Sequence, residues 1–198
     1  MYPKFTSPRI LTPQEQKRLL HVVRAHASPR DRALLSLALG TGLRLRELRG
    51  LNVGDVSPDG KTIQWRVPLD PKTTKGGRGG TAFLVPGVRR EVRRLVSWKR
   101  RVGEPVELGS PLFRSRQGRR VSLRRIQFMF REWQAAAGFE TIYPFHSLRH
   151  SAITNVYRAT KDLYLTQRFA RHSSPLATTI YTHPSDEELY GAIRGIKT

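Results

Sequence analysis

The sequence predicts a mainly helical fold with a small three-stranded antiparallel sheet, which is an α+β class. Helical periodicity and helix caps fill the first fifty residues and return after residue 88, whereas β-forming residues and turn signals lie between residues 53 and 85. The chain has 198 residues, 38% of them hydrophobic, with no internal repeat and no long linker. We therefore expect one domain over 1–198 with a core of ordinary size.

Three helices are predicted before the sheet. Thr12, followed by a proline and by Glu15, forms a capping-box pattern that begins a helix over 13–27. A second helix is predicted over 31–39, where leucines lie among alanines and glycines follow, and a short third helix over 44–51.

The predicted sheet comes next along the chain. β-branched and aromatic residues on both sides of the turn 58–60 indicate two strands, and the apolar segment 81–85 indicates a third. The segment 72–80 between the last two strands contains four glycines and three cations, so we expect a solvated hairpin tip.

Helices return after the sheet. Their predicted segments are 88–101, 122–137, 146–159, 163–170 and 176–181, and a last helix is predicted to begin at 185–188. No segment reaches the roughly 18 to 20 apolar residues of a membrane span, and the N-terminus lacks the apolar core of a signal peptide. We therefore expect a cytoplasmic protein with no membrane partner.

The chain is strongly basic. Lys and Arg number 36 and Asp and Glu 15, which gives a formal net charge of +21. The cations are spread along the chain instead of being gathered in one amphipathic helix, which favours nucleic acid over a lipid surface as the partner. The absence of cysteine excludes a disulfide framework, a zinc site with cysteine ligands and a thiol nucleophile.

The segment TGLRLREL contains a first candidate for anion binding, Arg44. Arg44 comes just after a glycine turn at the start of a predicted helix, where free backbone N–H groups and the helix dipole favour an anion. The alternative is an ordinary ion pair between Arg44 and Glu47, one turn further along the helix.

The segment HSLRH contains a second candidate pair, His146 and Arg149. These residues are three apart on a predicted helix and share a face, so an imidazole and a guanidinium can bind one phosphate. His146 and His150 have the spacing of a metal-binding pair. The sequence offers neither an adjacent glutamate nor a third ligand, so no metal is predicted.

The segment ARHSSPLATTIYTH places Tyr181 nine residues after His172. A phenol has a pKa of about 10 and becomes a useful nucleophile only where cations lower that pKa or a base accepts the proton. The arginines and histidines of this chain could do both. The alternative is that Tyr181 is an ordinary half-buried aromatic on a short helix.

These three segments and the basic hairpin, in this order and spacing, resemble the catalytic domain of the tyrosine recombinases, also called the phage integrase family. The resemblance covers about residues 11–183. It implies six catalytic residues, namely Arg44, Lys72, His146, Arg149, His172 and Tyr181. Lys75 is an alternative to Lys72 in the hairpin, and Lys72 is preferred because lysine followed by threonine is common there in the family.

The resemblance also implies the chemistry, a transesterification at a DNA phosphodiester without metal or nucleotide cofactor. Tyr181 would attack phosphorus to form a 3′-phosphotyrosine, the two arginines would stabilise the charge on the phosphate, and Lys72 would protonate the departing 5′-oxygen. His146 would assist proton movement around the tyrosine and His172 would donate to the phosphate. The function implied is site-specific recombination. DNA relaxation like that of a type IB topoisomerase and a non-catalytic DNA-binding role on the same scaffold are the alternatives.

The resemblance implies double-stranded DNA as partner, together with other protomers that assemble from monomers into a tetramer on DNA. It also implies a nucleoid-associated protein of prokaryotic or phage origin. Ser147 stands where the family often has aspartate, and Arg171 stands where glycine is usual. The chain has no room for the N-terminal core-binding domain that usually precedes the catalytic domain, so we expect that domain to be absent. The predicted C-terminal helix would dock either on its own domain or on a neighbouring protomer.

Overall fold

The computed structural model describes residues 9–74, 77, 79–181, 190, 193 and 194. Its helices are α1 (Pro13–His26), α2 (Pro29–Thr41), α3 (Leu45–Gly50), α4 (Val53–Val56), α5 (Pro86–Arg101), α6 (Leu123–Ala136), α7 (His146–Thr160), α8 (Leu163–Ala170) and α9 (Leu176–Thr179), and its strands are β1 (Arg66–Leu69) and β2 (Gly80–Phe83). The mainly helical class with a small antiparallel sheet is confirmed. In the part of the chain that the structure describes, no helix has both the length and the apolar character to cross a bilayer. The helix predicted to begin at 185–188 lies outside the described residues.

The N-terminal cap predicted for α1 is formed as expected. The hydroxyl of Thr12 accepts from the backbone N–H of Glu15 at 3.2 Å, and the Glu15 carboxylate accepts from the backbone N–H of Thr12 at 2.7 Å. These two bonds satisfy donors that a helix N-terminus otherwise leaves unpaired. The same carboxylate accepts from the hydroxyl of Tyr143 at 3.0 Å, which ties α1 to the loop before α7.

Helix α2 is the central helix and packs against α5 and α7. Leu34, Leu35 and Leu37 are all nearly inaccessible to solvent, as in a helix surrounded by protein. The helix ends at Gly42, whose φ of 59° is a left-handed conformation that favours glycine. This turn directs the chain into α3 and places Arg44 at the N-terminus of that helix.

The sheet is a hairpin of β1 and β2. The strands pair antiparallel with Arg66 opposite Phe83 and Leu69 opposite Gly80. A 3₁₀ turn, Pro71–Thr73, lies just after β1 and begins the loop that is predicted to form the hairpin tip. The hairpin therefore holds the first part of that loop close to a fixed strand end.

Of the three strands expected, the first is wrong, because residues 53–56 form the short helix α4 instead. The backbone N–H of Asn52 donates to the carboxylate of Asp55 at 2.7 Å, a contact typical of a helix N-terminus. Val53 and Val56 are both fully buried. Residues three apart share one face of a helix, so a single turn buries both valines. This burial and the N-terminal cap outweigh the β propensity of the segment.

Helix α7 packs against α2 and α8 and carries the HSLRH segment in its first turns. Its Ser151 hydroxyl accepts from the backbone N–H of Leu11 at 2.8 Å, which fixes the chain before α1. A small apolar cluster on the side of α8 and α9 consists of Ile153, Phe169, Ala170, Ile180 and Tyr181. Tyr181 follows α9 closely in the chain and packs against α7 and α8.

Candidate active site

Arg149 lies in the first turn of α7 and is only 3% exposed. Its Nη1 donates to the carbonyl oxygen of Gly42, and its Nη2 donates to the carbonyl oxygen of Ala170 at 2.5 Å. These bonds fasten the guanidinium between the turn after α2 and the end of α8. Burial and the nearby charges of Arg44 and Arg171 lower the pKa of Arg149 to about 9, so it stays positively charged at neutral pH.

Arg44 is held at the start of α3 by Glu47. The backbone N–H of Arg44 donates to one carboxylate oxygen of Glu47 and its Nη1 donates to the other, each at 2.8 Å. The ion pair considered as an alternative for Arg44 is therefore present. It does not hide the arginine, because 26% of the Arg44 side chain is exposed while the Glu47 side chain is fully buried. The pair orients Arg44 and leaves it accessible to an anion.

Tyr181 is 9% exposed, and its Oη lies 2.5 Å from Nδ1 of His150. On its other side the ring of His172 lies nearly parallel, at 21° and with 6.2 Å between ring centroids. The phenol is therefore placed between two imidazoles. The α7 helix provides the first of them and the segment between α8 and α9 provides the second.

The remaining contacts of the histidines show which ring atoms are in use. Nδ1 of His172 lies 2.9 Å from the hydroxyl of Thr178, so Nε2 is the nitrogen left to face a ligand. His146 is exposed, and its ring meets the ring of His150 edge-on with centroids 4.5 Å apart. Desolvation by the surrounding side chains, with the positive charges of Arg149 and Arg44, lowers the pKa of His146.

The electrostatics of the site favour neutral imidazoles and a protonated phenol. Burial, followed by charged and polar neighbours that include Arg149, lowers the pKa of both His150 and His172 to about 4. Burial raises the pKa of Tyr181, and the charges of Arg149 and Arg44 counteract only part of that effect. In the His150 tautomer that carries its proton on Nε2, the contact is a hydrogen bond in which Oη of Tyr181 donates to Nδ1.

Lys72 is exposed in the 3₁₀ turn after β1, and its backbone N–H donates to the Asp70 carboxylate at 2.8 Å. The neighbouring Thr73 packs against Gly50, where an added Cβ would lie 2.6 Å from the Thr73 methyl group. This contact joins the turn to the end of α3, whose other end carries Arg44. Lys75, the alternative to Lys72, lies outside the described residues.

The structure brings together five of the six predicted residues, which are Arg44, His146, Arg149, His172 and Tyr181. For Lys72, the described residues show proximity to α3 and no side-chain contact with those five. Among the described residues, no group of three or more His, Asp or Glu side chains could hold a metal ion.

Two residues of the site are missing from the sequence prediction, His150 and Arg171. The i, i+4 spacing of His146 and His150 indicates that both lie on one face of a helix. The spacing alone does not predict that Tyr181 packs against this face. Arg171 stands out in the sequence only as a departure from the family. In the structure its side chain is 9% exposed and its Nη2 lies 3.2 Å from the Glu47 carboxylate.

The sequence and the fold are similar to those of known proteins. The sequence model of the Phage integrase family matches residues 9–188. The chain is 31% identical to the tyrosine recombinase XerC of Caldanaerobacter subterraneus subsp. tengcongensis over 188 residues, which are 94% of this chain and 50% of the relative. The chain spans about half the length of the curated relatives it matches.

Two crystal structures show the same fold. The XerA recombinase superposes with a TM-score of 0.79 at 24% identity, over 98% of this chain and 67% of that one. The XerH site-specific recombinase, bound to a palindromic difH substrate in a post-cleavage complex, superposes with a TM-score of 0.77 at 21% identity, over 96% of this chain and 54% of that one.

Proposed function

Because the chain belongs to the phage integrase family, we propose that it is the catalytic domain of a site-specific recombinase that cleaves and rejoins DNA through a 3′-phosphotyrosine. One observation carries this proposal. The hydroxyl of Tyr181 lies 2.5 Å from His150, in a site where Arg149 and Arg44 are near enough to shift its pKa. A nucleophile, a proton acceptor and two phosphate-binding cations therefore share one site.

In the proposed cleavage step, Oη of Tyr181 attacks the scissile phosphorus. The bond from phosphorus to Oη forms, the bond from phosphorus to the 5′-oxygen breaks, and the 5′-oxygen leaves with a proton as a free hydroxyl. Attack by a 5′-hydroxyl on the phosphotyrosine reverses the step and reseals DNA. Each linkage formed replaces one broken, so the reaction needs no ATP.

Arg44 and Arg149 are the proposed phosphate-binding residues. Both are fixed before substrate binds, Arg44 by Glu47 and Arg149 by two backbone carbonyls. Donors fixed in advance stabilise the charge of a transition state without reorganisation, and each can contribute roughly 3 to 4 kcal/mol. Removal of either arginine should therefore slow cleavage strongly.

His150 is the proposed first acceptor of the tyrosine proton, because it is the residue that already bonds Tyr181 Oη. The positive charge of Arg149 contributes to its low pKa. A bound phosphate offsets that charge and makes His150 a stronger base once DNA is in place. His146, edge-on to His150 and exposed, then carries the proton to solvent, while Nε2 of His172 donates to the phosphate.

Lys72 is the proposed general acid for the 5′-oxygen, since it lies in a turn that packs against α3.

We further propose that the protein binds double-stranded DNA on the nucleoid and that monomers assemble into a tetramer there. The net charge of +21 supports the DNA partner.

Covalent capture tests the proposed function. The protein is incubated with a pool of nicked duplexes that contain a randomised recognition segment, so that cleavage releases a short strand and traps the adduct. Denaturing electrophoresis should show a protein–DNA adduct that Tyr181→Phe abolishes and Tyr164→Phe retains, since Tyr164 is 74% exposed on α8. Failure of the unmodified chain to form the adduct, or a normal yield with Tyr181→Phe, would contradict the proposal.

A further inference from the structure

The side chain of Arg171 lies between the end of α8, the turn after α2 and the hairpin. Arg171 ends α8 in a left-handed conformation, φ 57°, and its side chain is only 9% exposed. Its Nη1 donates to the carbonyl of Phe169 at 3.0 Å and its Nη2 donates to the carbonyl of Gly42 at 3.2 Å. A Cβ at Gly80 of β2 would lie 3.0 Å from Cδ of Arg171. One side chain thus touches the end of α8, the turn before Arg44 and the hairpin.

The same guanidinium shares a carboxylate with Arg44. One oxygen of Glu47 accepts from Nη1 of Arg44 at 2.8 Å, and the other accepts from Nη2 of Arg171 at 3.2 Å. Although burial opposes ionisation of Glu47, the charge of Arg171 and the hydrogen bonds from Arg44 outweigh it and lower the pKa of this carboxyl. Glu47 is therefore negatively charged between two positive side chains.

The net charge of Arg44, Glu47 and Arg171 together determines how strongly Arg44 attracts a phosphate. With Arg171 present, two guanidiniums and one carboxylate leave a net charge of +1. Without Arg171, the negative charge of Glu47, which already accepts from the backbone N–H and Nη1 of Arg44, would offset the positive charge of Arg44 alone. The phosphate-facing charge would fall even though Arg44 itself was unchanged.

We infer that Arg171 is a positioning residue that compensates the charge of the buried Glu47 and so leaves the positive charge of Arg44 available to the scissile phosphate and oriented toward it. This inference rests on the proposed function. It predicts that, once Glu47 has lost its negative charge, the loss of Arg171 will no longer slow cleavage as strongly.

The test combines Arg171→Met with Glu47→Gln and measures adduct formation at saturating DNA, with duplexes recovered from the randomised pool. Arg171→Met should slow adduct formation more than tenfold while changing the Kd for DNA by less than about threefold, because the loss acts on the transition state. The double variant should be faster than Arg171→Met alone. The control is Arg168→Met, an exposed arginine on the same helix, which should cleave at the normal rate.

A merely structural role predicts the opposite order, with the double variant slower than either single variant. That order, or a normal rate for folded Arg171→Met, would overturn the inference. If Arg171→Met does not fold, Arg171→Lys replaces it. This variant loses the guanidinium fork but keeps the positive charge beside Glu47, so it should cleave within about threefold of the unmodified protein, and a folded Arg171→Lys that is more than tenfold slower would overturn the charge argument.

A second measurement separates this inference from the proposed function. If the unmodified chain forms no adduct, the proposed function fails, and the Nε–Hε NMR signal of Arg44 in the presence of inorganic phosphate decides the inference. Phosphate should shift this signal in the unmodified protein, shift it less in Arg171→Met and shift it again in the double variant. An equal shift in all three proteins would refute the role of Arg171.

Discussion

Tyr181 and His150 are joined by a hydrogen bond of 2.5 Å between the phenol Oη and the imidazole Nδ1, although 31 residues separate them in the chain. Helix α7 fixes the imidazole, and the apolar cluster with Ile153 and Ala170 fixes the phenol ring. Burial keeps the phenol protonated by raising the pKa of Tyr181. The proposed nucleophile is thus paired with an acceptor before DNA binds.

Replacement of this acceptor should slow cleavage and change its pH dependence. In His150→Gln the amide still accepts a hydrogen bond but takes up no proton, so we expect adduct formation to fall on the order of a hundredfold. The residual rate should rise more steeply with pH, because hydroxide must then remove the proton. Single-turnover rates between about pH 6 and 9 measure both effects.

The matched control is His21→Gln, which changes an exposed histidine on α1. Its rate and pH profile should equal those of the unmodified protein. If His150→Gln also kept both, the proton of Tyr181 would have another acceptor, and His146 would be the next residue to replace.

The variants Arg149→Ala and Arg44→Ala should differ in their free energy of unfolding, although both arginines are expected to be needed for cleavage. Arg149→Ala leaves the buried carbonyl of Ala170 without the donor it has now, and an unpaired buried acceptor costs about 1–3 kcal/mol. Arg44→Ala removes the donor to one oxygen of the Glu47 carboxylate, but Arg44 is partly exposed, so its removal lets water reach that oxygen while Arg171 still pairs with the other, and the variant should cost less, about 1 kcal/mol. Urea unfolding measures the difference.

Cleavage at a temperature where both variants are folded should fall at least about a hundredfold in each case. Equal stability of the two variants would contradict the assigned carbonyl contacts. Near-normal cleavage by either one would contradict its role at the phosphate.

Local patterns in the sequence predict the parts of this fold that depend on near neighbours. The cap of α1 follows from Thr12 and Glu15, which contact each other across three residues. The segment 53–56 has β propensity, but its N-terminal cap and the burial of both valines make it helical. A propensity of this size is easily overridden by capping and packing.

Contacts between distant segments account for what the sequence does not predict in the site. The family motif identifies Tyr181, but the bond to His150 depends on how α7 packs against α8 and α9. Arg171 shares Glu47 with Arg44 only because the end of α8 lies beside the turn after α2. A sequence motif identifies candidate residues, but their contacts depend on how the helices pack.

Lys72 should be tested through the leaving group. A substrate with sulfur in place of the bridging 5′-oxygen needs little protonation on departure, so it should restore cleavage by Lys72→Ala and should not restore cleavage by Arg44→Ala. Adduct formation with matched oxygen and sulfur substrates measures the rescue. If Lys75→Ala shows the rescue and Lys72→Ala cleaves the oxygen substrate normally, Lys75 is the acid.

Binding to DNA should depend strongly on salt. If about six phosphates are neutralised, the slope of log K against log salt concentration is about −5. Fluorescence anisotropy with a labelled duplex over a series of salt concentrations gives the slope. A slope near zero would contradict the role assigned to the charge of +21.

The histidines of the site should make folding sensitive to mild acid. The pKa values of His150 and His172 are about 4 in the folded protein, whereas an unfolded histidine has a pKa of about 6.5. Between these values the unfolded chain binds protons that the folded protein does not bind. The free energy of unfolding should therefore be highest above about pH 6.5 and should fall as the pH decreases toward about 4. The variant His150→Gln/His172→Gln should lose less stability over this range, and His21→Gln should lose as much as the unmodified protein. Urea titrations at a series of pH values test this, and the same loss in all three proteins would show that neither site histidine is held neutral by folding.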